Sequence, residues 1–241
     1  MRPVLSANTE AGGQPGQTVT QPQQTFQDTG ILRMFPTVVW RGESKPETHR
    51  PLDEQILAAL WAMDDRLSRI RPGDSWQSGH RLHELHAFSA LVSCVDVGVE
   101  HFLASLNIAH SGFTITGCWA NVSAPGAGHP LHSHPNNYLS GVYYVRVHAG
   151  ADTIHFHDPR PQTAVIRPPV TGLTADNADQ VTVQVKDGTL LLFPAWLEHS
   201  VDPNRSAQTR VSVSFNVMFQ TYTARMSPPG WTGGWRHLSG D

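Results

Sequence analysis

The chain has 241 residues, with 17 Lys and Arg against 20 Asp and Glu for a net charge of −3. Only 15% of residues are charged, while 20 are glycine and 18 proline; this balance suits a turn-rich β architecture and argues against a long-helix bundle. No run of Lys or Arg is present, which excludes a nucleic-acid backbone or an anionic membrane as an obvious partner.

The length fits one domain with a full core. No apolar run of membrane-spanning length and no signal peptide are recognised, so the expectation is a soluble, cytoplasmic protein. The only cysteines, Cys94 and Cys118, lie in apolar sequence, which points to buried, reduced thiols.

Residues 1 to about 30, rich in Gly, Gln, Thr and Pro, read as a disordered tail, followed by a single domain over 31–241. From Pro51, "PLDEQILAALWAMDDRLSRI" places Ile56, Leu60, Met63, Leu67 and Ile70 at helical spacing, predicting an amphipathic helix. A second helical region, with interruptions, is predicted over Leu82–Ile108, so that helices occupy about 51–110. The period then changes. "FTITGCWANVS", "YLSGVYYVRV", "DTIHFHD", "QVTVQVKDG", "TLLLFPAW" and "TRVSVSFNVMFQTY" are short, β-branched or aromatic, and separated by turn residues, predicting a β sandwich or barrel over about 111–222. The fold class is therefore α+β, with helices preceding the strands.

His132 and His134 are two apart, so in an extended segment both side chains leave the same face and can converge on one ion. Downstream, "LLLFPAWLEHS" ends a buried strand and presents His199 on the loop after it. Eleven residues later, Arg210, Ser212 and Ser214 alternate with Val211, Val213 and Phe215, giving a strand with one polar and one apolar face. An Arg on the inward face of such a strand requires an anion. Each signal alone is weak, and with 14 histidines in the chain an isolated His-x-His pair carries little weight. Their conjunction, in this order, indicates a metal site beside an anion site. His148, His155 and His157 lack a companion ligand or anion site and read as structural.

Two β-sandwich metal families share this order. The His-x-His and the Gly188–His199 segment resemble cupin motifs, without the Glu that normally follows the first. The sequence more closely resembles a subfamily of Fe(II)- and 2-oxoglutarate-dependent oxygenases, through "WAN" at 119–121, "HSHP" at 132–135, "SGVYYV" at 140–145, "DPR" at 158–160, "FPAWLEHSVDPN" and "RVSVSFN". The resemblance spans roughly 76–219 and implies a double-stranded β-helix (jelly roll, cupin-like) with N-terminal helices packed on the sheet.

It also implies Fe(II) held by His132, His134 and His199, with His134 standing in the carboxylate's place. If His134 is instead the first ligand, Asn136 occupies the third position. Arg210 and Ser212 would bind the far carboxylate of 2-oxoglutarate, and O2 would be the oxidant. Zinc would also fit these ligands. Trp119, Asn121, Tyr144 and Arg160 are candidates for the pocket wall; of the adjacent Tyr143 and Tyr144, only one can face the site. The implied activity is oxidation of an unactivated C–H bond of a small-molecule or amino-acid/peptide substrate, with release of succinate and CO2. The alternative is a three-histidine cupin dioxygenase that needs no keto acid. A homodimer is compatible with the fold class.

Overall fold

The computed structural model describes residues 28, 30–161, 165–166 and 168–223, so nearly all of the predicted tail lies outside the described residues. Two antiparallel sheets form the body. The six-stranded sheet has the order β1 (Trp40–Glu43), β8 (Thr189–Pro194), β5 (Leu139–Arg146), β10 (Arg210–Phe219), β3 (Phe113–Ser123) and β2 (Ser75–Gln77). The four-stranded sheet has the order β4 (His129–His132), β9 (His199–Val201), β6 (Thr153–His157) and β7 (Gln180–Gln184). Two helices, α1 (Pro46–Met63) and α2 (Ser89–Ser105), cover the larger sheet, and a single turn, α3 (Gln220–Thr223), follows β10. This is the expected jelly roll with N-terminal helices.

Strand alternation sorts the side chains into two cores. On β5, β8 and β10, Tyr143, Val145, Leu190, Leu192, Val211, Val213 and Phe215 pack outward against Ile56, Leu60, Val95, Val99 and Phe102 of the helices. The next residues along, Val142, Tyr144, Leu191 and Phe193, point between the sheets and meet Ile154, Phe156 and Leu197. The neighbouring tyrosines therefore part: Tyr143 joins the helical side, where its hydroxyl donates to Asp53 Oδ1 (2.9 Å), and Tyr144 faces the interior. The Asp53 carboxylate also receives His49 Nδ1 at 2.7 Å. Burial nonetheless raises the Asp53 pKa, against the lowering pull of these two bonds.

The helical region differs from expectation in detail. Helix α1 starts at Pro46, where a first-turn proline sacrifices no intrahelical bond, and it runs through Pro51. It stops at Asp64, whose backbone is extended, and a 3-10 turn over Asp65–Arg69 carries Leu67 inward instead. Asp64 accepts from the Arg66 N–H (3.0 Å) and from Trp76 Nε1 (2.8 Å), which fixes this break and ties it to β2. The predicted second helix begins as two 3-10 turns, Leu82–Glu84 and His86–Phe88, before α2. The stretch His86–Ser105 is, by length and composition, long and apolar enough to cross a membrane, contrary to the sequence reading. In this fold its Leu91, Val95, Val99, Phe102 and Leu103 are buried against the sheet. Cys94 and Cys118 are free thiols.

Candidate metal centre and anion pocket

The two sheets enclose a cavity of about 430 Å³. Its inward wall is the polar face anticipated on β10, with Arg210, Ser212 and Ser214 opposite Ser123, Asn121 and Trp119 of β3. At the mouth the smaller sheet brings three imidazoles together. His132 ends β4 and is the direct cross-strand partner of His199, the first residue of β9. His134 enters from the following turn, where its backbone N–H donates to Ala195 O (2.8 Å). Ring centroids are 4.2 Å apart for His132 and His199, 5.0 Å for His132 and His134, and 5.2 Å for His134 and His199. One nitrogen from each of the three lies within 4.8 Å of the others, a spacing that one ion can span.

Backbone carbonyls fix two of the rings. His132 Nδ1 lies 2.8 Å from Pro130 O and His199 Nδ1 lies 2.9 Å from Leu197 O. A carbonyl only accepts, so each Nδ1 carries the proton and donates, leaving the Nε2 lone pair for a ligand. Burial, with the neighbouring histidines adding to it, pushes His134 down to about 3. His199 is pushed down to about 4, again mainly by burial. Both imidazoles are therefore neutral at physiological pH, the form that binds metal.

Deeper in, Arg210 is buried, with 5% relative exposure. Its guanidinium lies over the Tyr144 ring, 5.2 Å from the centroid, and neither Arg210 Nε nor the Tyr144 hydroxyl has a hydrogen-bond partner. Among the described residues, no carboxylate pairs with Arg210 and no Asp, Glu or Lys lines the cavity. A buried guanidinium with no carboxylate partner is costly. It marks a site built for an anion, in the cavity that the three imidazoles also line.

Not every residue singled out from sequence sits here. Trp119, Asn121, Tyr144 and Ser212 line the cavity, but Asn136 and Arg160 do not. Asn136 is an exposed turn residue in the left-handed region (φ 64°), and Arg160 forms a two-pronged ion pair with Asp158, at 2.7 and 2.8 Å. His155 bonds Thr182 Oγ1 (2.9 Å) and His157 bonds Ser200 Oγ (3.0 Å).

Among the cavity residues not singled out from sequence are Gln77, His80 and His129. The His129 ring is tilted against that of His132, centroids 4.9 Å apart. Gln77 and His80 come from the strap after α1, and burial lowers the His80 pKa. The only sequence signal for them was that this polar "WQSGH" follows a helix, in a stretch otherwise read as helical lead-in.

Residues 117–216 match the family described as "Putative 2OG-Fe(II) oxygenase". No curated protein matches the chain in sequence. Among solved structures, the fold is similar to a Trichoplax adhaerens prolyl hydroxylase in complex with a hypoxia inducible factor peptide fragment (16% identity, 78% of this chain and 87% of that one, TM-score 0.53). It is also similar to a Pseudomonas putida prolyl-4-hydroxylase (15% identity, 76% and 94%, TM-score 0.50). A third is HygX from Streptomyces hygroscopicus with nickel and 2-oxoglutarate bound (11% identity, 76% and 83%, TM-score 0.51). At these identities the structures establish the jelly-roll fold, and the region that matches the 2OG-Fe(II) oxygenase family carries His132, His134, His199 and Arg210 of the cavity.

Proposed function

We propose that the protein is a non-heme Fe(II)- and 2-oxoglutarate-dependent dioxygenase that hydroxylates, or otherwise oxidises, an unactivated C–H bond of a small-molecule or amino-acid/peptide-type substrate, releasing succinate and CO2. The observation that carries this reading is Arg210, buried with its Nε unpartnered in a cavity that also presents three convergent imidazoles. A dicarboxylic keto acid supplies both things the cavity lacks, an anion for Arg210 and a chelating end for the metal. A cupin site without keto acid would leave Arg210 unpaired.

In this reading His132, His134 and His199 hold the metal through neutral nitrogens, and the bound iron with O2 supplies the oxidising chemistry. The Nδ1–H bonds of His132 and His199 keep their rings oriented. Arg210 binds the far carboxylate through a charge-assisted pair of bonds, and its stack on Tyr144 holds the guanidinium plane in place. The Tyr144 hydroxyl and Ser212, which line the same cavity, would add hydrogen bonds to that carboxylate. Val142, Ile154 and Phe193 add apolar surface to the cavity wall. The free thiols of Cys94 and Cys118 support a cytoplasmic setting.

The test is an anaerobic titration of the apoprotein with Fe(II) and then 2-oxoglutarate, following the visible metal-to-keto-acid charge-transfer band. A band that needs iron and weakens in Arg210→Met is expected. Iron binding with no band overturns the proposal.

A further inference from the structure

The cavity has two ends. Arg210 opposite Ser123 marks one, and Ser214 opposite Trp119 the other, four residues away along each strand. At the rise of an antiparallel strand that separation is about 14 Å. His134 leans toward the second end, its ring 5.7 Å from that of Trp119.

From Asn121, which lies opposite Ser212 midway between the two ends, to Trp119 at the second end, the wall is built from neutral, hydrogen-bonding groups. Gln77 Nε2 donates to Asn121 Oδ1 (3.1 Å), and Asn121 Nδ2 donates to Ser214 Oγ (3.0 Å). The His80 ring stacks on Trp119, with centroids 4.8 Å apart and planes 22° from parallel. The strap that carries Gln77 and His80 is held on β3. Ser78 N–H donates to Ala120 O (3.1 Å), Ala120 N–H donates to Ser78 Oγ (2.9 Å), and Cys118 N–H donates to His80 O (2.8 Å).

We propose that Gln77, His80, Trp119 and Asn121 form the subsite that positions the substrate to be oxidised, and that the group it takes is an uncharged carboxamide lying against the flat face of the His80–Trp119 stack. After the two bonds above, the Gln77 and Asn121 amides still offer both N–H donors and oxygen lone pairs. A carboxamide, with a donor and an acceptor side by side, satisfies both. A carboxylate would leave acceptors facing its oxygens. An ammonium would lose its hydration with no Asp or Glu among the described residues lining the cavity to replace it; sites of this kind discriminate through the polar groups they leave unpaired. The inference rests on the proposed function only in assigning the Arg210 end to the keto acid.

The test uses the full chain loaded with Zn(II) and 2-oxoglutarate, which does not turn over, and ligand-observed NMR of benzamide, benzoate and benzylammonium. The expected result is benzamide binding about tenfold or more tightly than either charged probe, with Gln77→Leu removing most of that preference. Gln77 is exposed on an edge strand, so this variant should keep the thermal midpoint of the parent. Benzylammonium binding as well as benzamide, no benzamide binding, or a preference unchanged in Gln77→Leu overturns the proposal. Binding of 2-oxoglutarate, measured separately by calorimetry, keeps the two readings apart: its loss with the benzamide preference intact refutes the co-substrate alone, and the reverse refutes the subsite alone. N-acetylalanine N-methylamide in a parallel sample separates the sources of the amide. Tighter binding than benzamide assigns it to a peptide, weaker binding to a free small molecule.

Discussion

His132 and His199 face each other directly across β4 and β9, ring centroids 4.2 Å apart, and each donates its Nδ1–H to a carbonyl two residues earlier in its own chain segment. Two candidate ligands are thus aimed by hydrogen bonds to the backbone, and the third, His134, is delivered by the next turn.

Replacing either aimed ligand should abolish tight metal binding. His132→Ala and His199→Ala are each expected to weaken Fe(II) or Zn(II) binding at least about 100-fold, since a ligand's loss exceeds the 10–100-fold effect of losing a supporting partner. His134→Asp should retain metal and the keto-acid band, because a carboxylate at that position completes a two-histidine, one-carboxylate face. Metal titration calorimetry on the three variants checks this; loss of metal in His134→Asp contradicts it.

Arg210→Met should split function from stability. Charge-assisted bonds contribute about 1.5–3 kcal/mol each, so affinity for 2-oxoglutarate should fall by about 100-fold or more while metal affinity is retained. Without keto acid, the same variant should unfold at an equal or higher temperature than the parent, because an apolar side chain replaces an unpaired buried charge. Thermal unfolding with and without 2-oxoglutarate reads both effects.

Asp53 gives a pH signature remote from the cavity. Its carboxyl pKa is raised by burial, despite the bonds from His49 and Tyr143. The folded state therefore holds this proton more tightly than the unfolded chain, and the associated stability is fully present below the unfolded value, near 3.8, and lost as pH rises through the folded one. Asp53→Asn should flatten the stability–pH curve above about pH 4 and be at least as stable as the parent at pH 7. Denaturant midpoints across pH 4–8 test this; an unchanged slope contradicts it.

Gly141, the glycine of "SGVYYV", sits where a Cβ would lie 2.2 Å from Phe215 Cζ and 2.8 Å from Leu192 Cδ2. Gly141→Ala should destabilise by about 1–3 kcal/mol through overpacking, seen as a lower denaturant midpoint with unchanged slope.

Much of this was legible in the sequence because the central strands obey a period of two. Val211, Val213 and Phe215 against Arg210, Ser212 and Ser214 announced a strand with helices on one side and a polar cavity on the other. The histidines were legible as a set only through their order along the chain. The strap was not. Trp40–Glu43 and Ser75–Gln77 are too short to show a period, and they pair only through partners more than 40 residues away. Leu67 and Ile70 kept helical spacing through a break that Asp64 makes by capping, which hid both the end of α1 and the route by which Gln77 and His80 reach the cavity. Asn136, adjacent to the histidines in sequence, is turned to the surface by a left-handed backbone that spacing does not encode.

Strand β4 is a sheet edge with a register irregularity between His129 and His132, and all but its last residue are exposed. It therefore has little apolar burial of its own to hold it against β9. A bound ion would add a cross-link between the two strands at their most weakly attached point, so the rate at which β4 amides exchange with solvent becomes a local gauge of metal occupancy, independent of any reaction.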